Sequence, residues 1–129
     1  MKAGAAQVCI TPPVGVDLTG FIARQQPSVG KHDDLFVRAL YLERDPERLL
    51  WIHADIVGWM QSRVRRVRAT LCRRLKLKPR QVLFTATHTH SGPATLPLRN
   101  CGTTDLRYLR CLERQVLRAA VAASRVVEP

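Results

Sequence analysis

Nothing in the 129 residues approaches the ~20 consecutive apolar residues that a membrane-spanning helix needs. The opening MKAGAAQVCITPPVG also lacks the apolar core, roughly 7–15 residues long, of a secretory leader. These two absences lead to the expectation of a cytoplasmic chain with no transmembrane segment. Cysteine is scarce and scattered: Cys9, Cys72, Cys101 and Cys111 form no CxxC pair and no zinc-finger spacing. Free thiols in a reducing compartment follow, each expected as a small buried hydrophobe. Acidic residues are few, 10 against 21 Lys and Arg, which leaves a net charge of +11. Such a balance can mark a partner for nucleic acid or an anionic membrane, or arginine used in place of lysine on solvated faces. The arginines scatter from Arg24 to Arg125 with no run of five or six, and aromatic residues make up only 5% of the chain. Basicity alone supplies only a non-specific electrostatic attraction, so nucleic acid is not the expected partner.

What is present reads as a globular α/β chain of one domain or a piece of one, with 46% apolar and 24% charged residues. AGAAQVCI, residues 3–10, reads as a strand stopped by Pro12-Pro13, which cannot donate ladder hydrogen bonds. A loop rich in Gly and Pro follows. LFVRALYLE, 35–43, reads as a second strand, and DPER as a turn. LLWIHADIV, 49–57, is a nearly continuous apolar run, as expected of a strand covered on both faces. Residues 61–77 change to helical period, with Val64, Val67, Leu71 and Leu75 on one face and Pro79 as a stop signal. VLFTAT, 82–87, is another strand. A helix over 105–125 then carries the stripe Leu109, Leu112, Val116, Ala120 and Ala123, with Thr103 or Thr104 as N-cap. The order is β-β-β-α-β-α. Strand, helix and strand from Leu49 to Thr87 make a parallel βαβ unit, whose two strands end on one rim, where open α/β sheets bind ligands. That topology places Asp55 and His88 at the same edge.

The chain has four histidines, and His88 and His90 stand one residue apart in TATHTHSGPA. In extended backbone, residues two apart project to one side, so both imidazoles would face one space with Thr89 turned away. Imidazole is the commonest metal ligand and also an acid-base group near neutral pH. A zinc hydrolase uses about three protein ligands and leaves one position for water. The plainer reading is two strand-end histidines bonded to backbone or solvent. Ser91-Gly92-Pro93 favours the functional one, since it would let backbone approach a ligand. Asp55 could orient a ligand histidine or cap a helix. His53, inside an apolar strand, reads as a satisfied core histidine. His32 and Asp33 either join the rim or form an ordinary turn.

VLFTATHTHSGPAT resembles the signature of the neutral/alkaline, non-lysosomal ceramidases and their bacterial relatives. AGAAQVCITPPVGVDLTGF is similar to that family's opening strand followed by Thr-Pro-Pro and a Gly-Tyr or Gly-Phe. Gln26, Gly30 and His32, followed by Arg38-Ala39, match its G-x-H then R-A pattern, and LLWIHADIVG resembles its apolar strand ending in Asp. The likeness runs from Ala3 to about Tyr108. It implies an α/β catalytic domain of large sheets flanked by helices. One zinc ion there activates water to cleave the amide of N-acylsphingosine, so a ceramide-like lipid amide is the implied substrate. His88 takes the place of a zinc ligand, and His90 that of the residue beside the reacting water that aids catalysis.

The family's other zinc ligands, a histidine, a glutamate and a tyrosine, lie beyond the stretch that the resemblance covers, and no histidine follows His90. Cys9 stands where an acidic residue is more usual. Residues 1–129 are therefore expected to be the N-terminal part of an incomplete catalytic domain. Its partner would be the rest of that domain or a complementary chain, and alone it would be inactive. Two other readings remain: a non-catalytic basic module whose helix around Arg63 to Arg74 docks on nucleic acid or anionic lipid, and a remnant that folds poorly.

Overall fold

The β-branched and aromatic runs become four strands of one sheet in the computed structural model, which describes all 129 residues. They are β1 (Lys2–Cys9), β2 (Phe36–Arg44), β3 (Glu47–Ala54) and β4 (Val82–Ala86), lying side by side in chain order. β1–β2 and β2–β3 pair antiparallel, whereas β3–β4 pair parallel. Helix α1 (Gln61–Leu75) makes the crossover between β3 and β4, and helix α2 (Leu106–Arg125) follows β4. The expected α/β architecture, a mixed sheet with a parallel βαβ unit and the order β-β-β-α-β-α, is the observed one.

Several boundaries differ from expectation for local reasons. The turn between β2 and β3 is the two-residue pair Asp45-Pro46, so β3 begins at Glu47 and ends at Ala54. Helix α1 stops at Leu75 because Lys76 takes a left-handed conformation and Leu77 N–H closes onto Cys72 O at 3.1 Å. Pro79 then opens a short 3-10 turn instead of ending the helix itself. The N-cap of α2 is Asp105, not Thr103 or Thr104. Its Oδ1 accepts from the backbone N–H of Arg107 at 2.7 Å and of Tyr108 at 3.4 Å, satisfying two otherwise unpaired donors.

Alternation along the strands sorts the sheet into two faces. Gly4, Tyr41, Leu50 and Val82 form one cross-strand row, Ala6, Ala39, Ile52 and Phe84 the next, and Val8, Val37, Ala54 and Ala86 the third. Both helices pack on this side. Val67 and Leu71 of α1 and Leu109, Leu112, Val116, Ala120 and Ala123 of α2 join it in one core. Val64 and Leu75 are only half-buried. Each fully buried Leu, Ile or Val contributes roughly 1.5–3 kcal/mol relative to exposure. Gly4 lets α2 come close, because a Cβ there would sit 2.1 Å from Ala123 O.

The opposite face of the sheet is open, which corrects the expectation of a β3 strand covered on both sides. Ala5, Leu40, Trp51 and Leu83 make an apolar row across it, with Trp51 40% and Leu83 47% exposed. Gln7, Arg38, His53 and Thr85 make the adjoining polar row. His53 is thus half-buried on the open face and not in the core; its Nδ1 lies 2.9 Å from Thr85 Oγ1. The apolar run of β3 therefore reflects one buried face and one face uncovered in this chain. Cysteine placement is also mixed. Cys101 is buried, Cys72 and Cys111 are half-buried, and Cys9 is exposed, with its thiol 3.3 Å from Thr11 Oγ1.

Candidate metal and catalytic site

The parallel pairing of β3 and β4 brings two loops together at one end of the sheet, and backbone hydrogen bonds bind them. Thr87 N–H donates to Ala54 O at 3.0 Å and His88 N–H to Ile56 O at 3.1 Å. The loop after β4 is strapped in turn to the loop after β1. Thr19 N–H donates to Gly92 O at 3.0 Å, and Ala94 N–H to Asp17 O at 2.9 Å. Gly92 and Pro93 are buried by these straps. They pack the loop against the chain, whereas the sequence suggested backbone offered to a ligand.

His88 adopts φ 62°, the left-handed region that a non-glycine residue seldom enters. This corrects the extended backbone expected for the HTH segment. The side chain is exposed, yet its ring is fixed, because Nδ1 lies 2.7 Å from Val57 O. A carbonyl can only accept, so Nδ1 carries the proton, and in the neutral ring Nε2 keeps its lone pair. That is the arrangement by which proteins orient a metal-ligating imidazole, a backbone carbonyl standing where a carboxylate often does.

His90 comes to the same place by another route. Its ring centroid lies 5.0 Å from that of His88, with the planes at 64°. Phe21 meets it edge-on at 5.4 Å and 83°. Gly20, at φ +102°, lies against the ring: a Cβ there would come within 2.4 Å of His90 Cγ. Arg24 completes the support. Its Nη1 and Nη2 each donate to His90 O at 3.2 Å, Nη1 also donates to Thr19 O at 3.1 Å, and its guanidinium lies 5.0 Å over the Phe21 ring. Gly20 and Phe21 belong to the segment that carried the resemblance, but no role could be read from them there. Arg24 left no signal, since one arginine among 17 has no pattern.

The other rim candidates separate. Asp55 neither orients a histidine nor caps a helix. Its Oδ2 accepts from Phe36 N–H at 3.0 Å and Arg38 Nη1 at 2.9 Å, closing the end of β2. His32 is 98% exposed and lies 2.6 Å from Asp33 Oδ2, which raises its pKa above the usual value. Both line a cleft of about 350 Å³ with Thr89, Ser91 and Pro93, so the His32 loop borders the HTH loop. Near that cleft, Asp34 accepts from Thr11 Oγ1 at 2.7 Å and Lys31 Nζ at 3.0 Å. These bonds, the one from Thr11 foremost, hold its carboxyl below the usual range. No three His, Cys, Asp or Glu side chains gather closely enough to hold a metal ion by themselves. The chain thus presents one oriented imidazole donor with a second imidazole beside it.

No known family model and no curated protein matches the chain. Solved structures share its fold, and two of them are ceramidases. The neutral ceramidase of Pseudomonas aeruginosa superposes with a TM-score of 0.86 at 23% identity, over 99% of this chain and 22% of that one. A ceramidase complexed with C2 superposes with a TM-score of 0.82 at 23% identity, over the same 99% and 22%. The chain therefore spans about a fifth of the length of the proteins whose fold it shares.

Proposed function

We propose that this chain contributes His88 as a zinc ligand and His90 as a catalytic proton carrier to a zinc-dependent amide hydrolase of ceramidase type. The bond cleaved is the N-acyl amide of ceramide or of a related lipid amide. One observation carries the reading: a ring-pinned imidazole with a free Nε2 stands beside a second, buttressed imidazole on a fold shared with neutral ceramidase. The residues fit a zinc ion as one donor of a larger set, since Nε2 of a neutral imidazole suits zinc. When bound, zinc supplies a nucleophile at neutral pH and polarises the acyl carbonyl.

The chain's own residues do the rest. Val57 O holds the His88 ring in its tautomer. Gly20, Phe21 and Arg24 set His90 beside it, where its imidazole would accept and return a proton during amide cleavage. The remaining donors come from polypeptide outside residues 1–129. On this reading the 129-residue chain is inactive alone.

The decisive experiment replaces the matching 22% of the Pseudomonas ceramidase with this chain and follows a fluorescent short-chain ceramide. Zinc-dependent turnover is expected, lost by about 100-fold or more in His88→Ala and reduced by ~10²–10⁴-fold in His90→Ala. Should the chimera fail to fold, histidine NMR of the chain itself decides. Added zinc is expected to move the His88 resonances before those of His32 and His53, and the reverse order would end the proposal. Turnover by the isolated chain would overturn the claim that its ligand set is incomplete.

A further inference from the structure

The arginines that look scattered in the sequence are gathered by the fold. Helix α1 carries six arginines and no acid, and helix α2 five arginines and one acid, Glu113. The two helices thus hold ten of the chain's net eleven positive charges. Substituting arginine for lysine on solvated faces would leave net charge unchanged, so it does not explain this asymmetry. Glu113 is not available to offset the outer face. It is half-buried and taken up by Arg63 Nη1 at 2.6 Å and Arg66 Nη2 at 2.6 Å, where it clamps the two helices together.

Between the helices, on the side away from the sheet, runs a groove of about 480 Å³. Arg74 of α1 and Arg114, Arg118 and Arg125 of α2 border it, and Leu117 and Val121 lie among them. All four arginines are exposed, and none has an acidic partner. Guanidinium groups bind phosphate oxygens in bidentate fashion, and an apolar strip between them suits the region just beneath a lipid headgroup. Binding of single-stranded nucleic acid would call for aromatic platforms on which bases stack. The helices offer one aromatic residue, Tyr108, and it is buried.

We infer that the outer face of α1 and α2 is a docking surface for an anionic phospholipid bilayer, centred on the groove bordered by Arg74, Arg114, Arg118 and Arg125. The surface lies apart from His88 and His90 and does not depend on the zinc reading. No helix of the chain is long and apolar enough to cross a membrane. The contact is a peripheral one, made of charge and a shallow apolar strip.

The test is vesicle co-sedimentation of the full chain at roughly physiological salt, where weak non-specific attraction is screened. Vesicles of phosphatidylcholine with roughly one-third phosphatidylglycerol are compared with phosphatidylcholine alone. Strong preference for the anionic vesicles is expected. Each basic residue at such a surface strengthens binding on the order of fivefold, so the fourfold variant Arg74→Gln, Arg114→Gln, Arg118→Gln, Arg125→Gln is expected to lose at least about 50-fold. The matching Arg→Lys variant keeps most of the binding. Lys2→Gln, Arg44→Gln, Arg48→Gln and Arg99→Gln together remove the same charge from elsewhere and lose less than about threefold. Circular dichroism checks that each variant is folded. Equal losses from the two Gln sets, no preference for anionic vesicles, or tighter groove-dependent binding to duplex DNA at the same salt would each overturn the inference.

Discussion

At the scale of single residues, the candidate site depends on two unusual backbones. His88 holds φ 62° and Gly20 holds φ +102°. A non-glycine residue in the left-handed region costs on the order of 1–3 kcal/mol and persists where its surroundings impose it. For His88 those surroundings are the bonds from its N–H to Ile56 O and from its Nδ1 to Val57 O. For Gly20 the constraint is space, because the His90 ring fills the volume a Cβ would need. Gly20→Ala is therefore expected to displace the His90 ring and to destabilise the chain by about 2 kcal/mol. Denaturant midpoints read the loss, and the ring-current shift between Phe21 and His90 reads the displacement. A wild-type midpoint with unchanged His90 shifts would show that the ring does not rest on Gly20.

At the scale of elements, α2 locks the sheet to the loop after β1. Tyr108, in its first turn, is buried, and its hydroxyl donates to Ile10 O at 2.9 Å. Burial raises the phenol's pKa far above its ordinary 10.0, because the phenolate would be desolvated. With the folded-state value raised, this contribution to stability is complete below the unfolded value and is lost as pH rises past it. Stability should therefore decline above about pH 10 as the unfolded chain ionises first. Tyr108→Phe is expected to cost about 1 kcal/mol near neutral pH, since Ile10 O loses its donor. It should also flatten the decline measured by urea unfolding at about pH 9 and about pH 11. An equally steep alkaline limb in the Phe variant would assign that decline to other groups.

At the scale of the whole molecule, the chain has two dissimilar sides. One carries the helices and nearly all the net charge, while the other is a bare sheet face with Trp51 and Leu83 in its apolar row. Trp51 Nε1 donates to Thr85 Oγ1 at 2.7 Å, whereas Trp59 is half-buried and bonded to Thr85 O at 2.8 Å. Acrylamide is therefore expected to quench Trp51 strongly in the isolated chain. The component lost on Trp51→Phe should be the more quenchable of the two. Protection of Trp51 in the dilute chain would mean that the face is already covered.

How much of this was legible in sequence depends on how far the deciding contacts reach along the chain. Period-two and helical patterning are local, so the α/β class, the element order and the stripes Val67–Leu71 and Leu109–Ala123 could be read from residues alone. The HTH spacing likewise marked His88 and His90. The partners were another matter. Val57 O for His88, Arg24 and Gly20 for His90, and Arg38 for Asp55 lie 17 to 70 positions away, and no local pattern announces them. Which face of the sheet stays open, and that scattered arginines gather on one surface, follow from the packing of both helices on the same side. Side-chain pattern specifies what each segment can become; only the assembled backbone decides which distant groups share a space.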